Sequence, residues 1–120
     1  MLFRSFISLA NAASYQWSFN LDTGESVYSS SHAKADNEQT AYVRIDSGNI
    51  QDGIDKIWFR VRRTSDDSPM TETKWASSTG IRFTLDYTER KGIPGEKYRL
   101  KMQQDSMGAG FANASGYWTP

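Results

Sequence analysis

Apolar and polar residues alternate with a period of two along most of the chain, and helical spacing is almost absent. In Tyr15-Gln16-Trp17-Ser18-Phe19-Asn20 every odd position is aromatic and every even one polar, which predicts a strand with one buried face. Asp22-Thr23-Gly24 then turns the chain. Val27-Tyr28 reads as a weak edge strand entering a long, Ser-rich polar loop. Alternation returns in Ala41–Ile45 and stops at Asp46-Ser47-Gly48. The strongest strand is Ile57–Arg62, with Ile57, Phe59 and Val61 on one face and Lys56, Trp58, Arg60 and Arg62 on the other. Residues 64–69 form a loop, Thr71–Ala76 a short edge strand, and Ile81–Tyr87 a clean alternation. After the turn at Arg90–Gly95, Tyr98–Met102 carries Lys97, Arg99 and Lys101 on its polar side. Phe111–Trp118 supplies the last strand.

No segment is available for the helical crossovers that parallel strands require. The expected fold is therefore an all-β antiparallel β-sandwich of seven to eight strands, Ig-like in order, with a small barrel as the alternative. Its core should comprise Trp17, Phe19, Val43, Ile45, Ile57, Phe59, Val61, Ile81, Phe83, Leu85, Tyr98, Leu100 and Met102. Pro94-Gly95 followed by Tyr98 is similar to the tyrosine corner of Ig-like sandwiches, or is simply a tyrosine on an inner face.

The 120 residues suit a single domain, placed at 13–120. An apolar share of 38% and a formal net charge of zero exclude a disordered chain and a globally basic one, so no nucleic-acid partner is expected. No apolar run is long enough for a transmembrane helix. Without cysteine there are no disulfides or thiolate metal sites, and one histidine, His32, leaves little for triads or multi-histidine centres. Residues 1–12 combine Arg4, a short apolar patch and an Ala-x-Ala ending. They read either as a signal-peptide remnant or as an N-terminal extension packing on the core.

Zero net charge hides a segregation. Most of the 14 basic residues lie in predicted strands, while most acids lie in loops. If the strands holding Arg60 and Arg99 are neighbours, their outer faces form a basic surface containing Trp58. Arginine forks suit sulfate, phosphate and carboxylate groups, and an indole face suits a sugar ring. The expected ligand-binding residues are accordingly Arg44, Trp58, Arg60, Arg62, Arg99 and Lys101. The competing reading is a solvated face on which long basic side chains cover apolar sheet and deter edge-to-edge pairing.

Catalytic chemistry finds little material. Asp52–Asp55 and Asp66-Asp67 lack the partnered arrangement of a glycosidase carboxylate pair. Asp36-Asn37-Glu38 and Asp66-Asp67 do not match a calcium loop, and no phosphate-binding glycine loop or nucleophile elbow is present. No enzyme, cofactor or metal is expected. His32 sits in the polar stretch and reads as a solvated loop residue. Tyr117-Trp118 reads as an aromatic pair that completes the core, with a sugar platform as the functional alternative.

Trp17–Phe19, Phe59–Arg62, Gly95–Leu100 and Gly116–Pro120 together resemble segments of small, Cys-free exoproteins of Gram-positive bacteria. That resemblance implies export and a β-sandwich, and brings no catalytic residues. The resulting expectation is a non-catalytic binding module, secreted or at the cell surface, that meets an anionic or carbohydrate polymer of a cell envelope. A cytoplasmic location is the alternative. A secreted effector acting on a protein or membrane, marked by an exposed patch at Trp75, Tyr117 or Trp118, is the second functional class. A structural module of a larger assembly is the third. The oligomeric state is left open.

Overall fold

A computed structural model describes residues 13–50, 55–105 and 110–120. Among the described residues nine strands form in chain order: β1 (Tyr15–Leu21), β2 (Ser26–Tyr28), β3 (His32–Ala33), β4 (Thr40–Gly48), β5 (Ile57–Arg63), β6 (Lys74–Ala76), β7 (Ile81–Asp86), β8 (Lys97–Gln104) and β9 (Ala112–Thr119). They make two antiparallel sheets, β1-β9-β4-β7 and β2-β8-β5-β6, with β3 also pairing β8. Residues 1–12, the candidate signal or extension, lie outside the described residues, as does Asp52.

The sandwich is the one that alternation predicts, and its strand order is that of a jelly roll rather than an immunoglobulin domain. Only the β2–β3 and β5–β6 connections stay within one sheet. Every other connection crosses to the opposite sheet, as in a double Greek key. Alternation decides which way a side chain faces and says nothing about which strand lies alongside, so the order had to come from tertiary pairing.

The odd-numbered apolar residues of β1, β4 and β5 meet the even-numbered ones of β8 in the space between the sheets. Phe59 stands edge-on to Trp17 at 5.5 Å and to Phe83 at 5.2 Å, tying β5 to β1 and β7 across the sandwich. Such edge-to-face pairs add ~0.5–1.5 kcal/mol beyond burial alone. Trp118 is buried and completes the core, whereas Tyr117 faces outward. Ile81 and Phe83, expected inside, are only half-buried because β7 is the free edge of its sheet.

Tyr98 behaves as a corner residue. Its ring is buried, and its hydroxyl donates to the Lys91 carbonyl at 2.9 Å while accepting from the Ile93 amide at 3.0 Å. One hydroxyl thus closes the turn between β7 and β8. Tyr98→Phe should leave the Ile93 amide without its partner and lower unfolding stability by about 1–3 kcal/mol in a urea titration.

His32 corrects the expectation of a solvated loop side chain. It lies in β3, which pairs with β8, and its imidazole stacks on Tyr15 of β1 with ring centroids 3.6 Å apart. Burial holds its pKa below the ordinary 6.5. The unfolded chain therefore takes up a proton that the folded one resists, so this contribution is complete above 6.5 and is lost as the pH falls below it. The urea midpoint should drop between about pH 7 and about pH 5, and His32→Phe should flatten that slope, since the chain has no other histidine.

Candidate functional site

The outer face of β5 and β8 carries most of the expected site. Their antiparallel register sets Trp58 opposite Gln103, Arg60 opposite Lys101, and Arg62 opposite Arg99. Five of the six expected ligand-binding residues are thereby brought together. Arg44 is the exception. It lies on β4, in the other sheet of the sandwich, and points away from the rest.

Two pairs of like charges now face each other across one strand pair, each costing ~0.2–1 kcal/mol if left alone. They are treated differently. Arg62 and Arg99 converge on Asp67, in the turn after β5. Arg62 Nη1 donates to the Asp67 carbonyl at 2.7 Å and stands 3.8 Å from its carboxylate, and Arg99 Nη2 reaches the carboxylate at 3.3 Å. Tyr28 of β2 donates its hydroxyl to the same carboxylate at 2.9 Å, and its ring lies 3.7 Å beneath the Arg99 guanidinium. The Tyr28 hydrogen bond and the two arginines hold the Asp67 carboxyl below the usual carboxylate range. One carboxylate serves two guanidiniums, and the Nε atoms of both arginines remain without an acceptor.

Arg60 and Lys101 have no such bridge. Arg60 Nε donates to the Thr71 carbonyl at 2.7 Å, which fixes the stem of the side chain and leaves its charge unanswered. Among the described residues no ion pair reaches either Arg60 or Lys101. Between them lies a pocket of about 140 Å³, lined by Trp58, Arg60, Arg62, Thr73, Lys101 and Gln103.

Aromatic surface borders the pocket. Trp75 of β6 lies directly opposite Trp58 and is 51% exposed, the indole most open to solvent on this sheet. Lys56 Nζ sits 4.6 Å from the Trp75 ring and 5.8 Å from that of Trp58, adding a third cation at the aromatic end. Chemically, the face offers the unbridged Arg60–Lys101 pair, Lys56 at its aromatic end, a small polar pocket and an indole shelf along the line of the strands.

Trp75, Tyr28 and Asp67 complete this surface and were not among the expected site residues. Trp75 could have been found by registering the short 71–76 strand against Trp58. No local signal marks Asp67 as the acid that answers two arginines. Asp67→Asn should keep the positive φ of 58° that asparagine tolerates, while removing the bridging charge. Unfolding stability should fall, and retention on an anionic matrix should rise, because Arg62 and Arg99 then join the unanswered cations.

The loop carboxylates weighed for catalysis or calcium are engaged elsewhere: Asp36 with Lys34 at 3.1 Å, and Asp66 with Arg63 at 2.7 Å. Lys34 itself is buried, with its ammonium 5.0 Å from the Tyr87 ring centroid. Of the aromatics whose exposure would have marked an effector surface, Trp118 is buried, and Trp75 and Tyr117 open onto opposite sheets. They form no common patch.

No protein-family model matches the chain, and a comparison with curated proteins gives no match. Among solved structures, the chain is similar to one described as "Structure of infectious bursal disease virus Gt strain", at 12% identity and a TM-score of 0.46. The likeness covers 88% of this chain and 30% of that one, so the chain spans less than a third of that neighbour's length.

Proposed function

We propose that the domain is a non-catalytic binding module for an anionic, sugar-bearing polymer, engaged through the outer face of β5, β6 and β8. The observation that carries this reading is the contrast between the two like-charge pairs. Arg62 and Arg99 have an internal acid, whereas Arg60 and Lys101 face each other across the strands with none and with a pocket between them. A sulfate, phosphate or carboxylate group seated there would remove the repulsion and accept charge-assisted hydrogen bonds from both side chains. Trp75 and Trp58 lie where a neighbouring sugar ring would stack. A polymer of a cell envelope has this chemistry, and a secreted or surface location would bring the module to it.

The test is retention of the chain on a sulfated-glycan matrix across a salt series. Elution should move steeply with salt, because each neutralised anion releases counterions, and a neutral dextran matrix should retain nothing. Equal behaviour on both matrices, or no retention at low salt, would return these cations to the role of a solvated face.

A further inference from the structure

The opposite sheet carries a second concavity that the basic face does not use. It measures about 260 Å³ and is lined by Tyr42, Arg44, Arg82, Thr84, Tyr117 and Thr119, side chains that stand outward from β4, β7 and β9. Register places Tyr42 between Thr84 and Thr119, and Arg44 between Arg82 and Tyr117. Two tyrosine rings therefore stand diagonally across adjacent strands, both partly exposed, with hydroxyls beside them and two guanidiniums at one end.

The charges in this bowl are unequally answered. Arg44 forks onto Asp46 at 2.8 and 3.2 Å, and its guanidinium rests 4.9 Å from the Tyr117 ring centroid. The Tyr42 hydroxyl donates to Glu38, so the second nearby acid is also engaged. Asp86, further along β7, accepts from Thr40. Arg82 lies directly opposite Arg44 and makes no ion pair or hydrogen bond among the described residues. It is the open cation of the bowl. Ser14 and Thr119 share a hydrogen bond at the rim, at 2.9 Å, leaving further donor and acceptor capacity for a hydroxylated ligand.

We propose that this bowl is a separate binding site for a single pyranose ring bearing a carboxylate, a uronic acid residue. The ring's C–H face stacks on the tyrosines, its hydroxyls meet Thr84 and the Ser14–Thr119 pair, and its carboxylate takes the Arg82 fork. The volume falls just below the ~300–1,000 Å³ typical of small-molecule sites, which suits one ring of a longer chain. Because the two concavities lie on opposite sheets, a module holding both could join two polymer chains. The bowl does not depend on the reading of the basic face, since the two share no residue.

The experiment is a heteronuclear NMR titration of the whole chain with a galacturonic acid trimer, with its methyl ester as a neutral probe of the same shape. Amide shifts are expected on β4, β7 and β9, with affinity reduced about tenfold in Arg82→Gln and similarly for the ester. Tyr117→Ala should also weaken binding about tenfold, through loss of stacking. The double variant Arg60→Gln with Lys101→Gln should leave this set of shifts intact. Shifts confined to β5 and β8, no shifts at millimolar probe, or equal affinity for acid and ester would each overturn the proposal.

Discussion

Gly116→Ala is expected to lower the thermal midpoint by about 10–15 °C, the loss that ~3 kcal/mol produces in a chain of this size. Gly116 lies on β9, the strand flanked by β1 and β4, opposite Trp17 on one side and Ile45 on the other. A methyl group there would run into the Arg44 carbonyl oxygen and would stand 3.0 Å from the Trp17 indole. The carbonyl belongs to backbone and cannot rotate away. The register between β4 and β9 also shifts between Ile45 and Ser47, beside this contact. Relief requires β4 and β9 to part, which opens the centre of the sheet and withdraws the surface against which Trp17 packs. Gly24→Ala provides the contrast. Its φ of +77° disfavours a side chain, but no other group among the described residues would lie within 4 Å of an added Cβ, so its cost should be limited to about 1 kcal/mol of backbone strain. Circular dichroism melts of the two variants measure the difference directly.

The second large effect is on binding. Lys101→Glu should weaken retention on a sulfated glycan by about tenfold to a hundredfold, the range spanned by losing one hydrogen bond to a charged group at ~1.5–3 kcal/mol. The substitution does more than delete a donor. It places a carboxylate opposite Arg60, so the remaining cation of the pair is answered from within the sheet and no longer needs an external anion. Lys101→Gln, which only removes charge, should lie between wild type and Lys101→Glu. Arg44→Glu, on the other sheet, should reduce retention on this matrix less than Lys101→Glu.

Much of the inner face was legible from alternation, and much of the rest was not. Trp17, Phe19, Ile57, Phe59, Leu100 and Met102 could be assigned to the core because a period of two forces residues of one parity onto one face. Strand order could not be read this way, and placing Arg44 beside Arg60 was the consequence. β2 was faint and β3 was read as loop because Ser-rich segments have little strand preference of their own; both are held by backbone pairing to β8. His32 looked solvated in a polar stretch, and only the closing of the sandwich shows that it stacks on Tyr15; the same closing encloses Lys34 beside Tyr87. In the candidate site, the basic character of β5 and β8 was visible in the chain. The division into a bridged pair and an unbridged pair depends on Asp67, a turn residue whose reach only tertiary structure defines.

The claim that Arg60 and Lys101 are kept as a repelling pair for a ligand is tested most directly by measuring stability and binding on the same preparation of Lys101→Glu. If repulsion is the cost of an anion site, the new cross-strand ion pair should raise unfolding stability by up to ~1 kcal/mol while salt-dependent retention collapses. A variant that is less stable than wild type, or that binds the sulfated glycan as well as wild type, would contradict it.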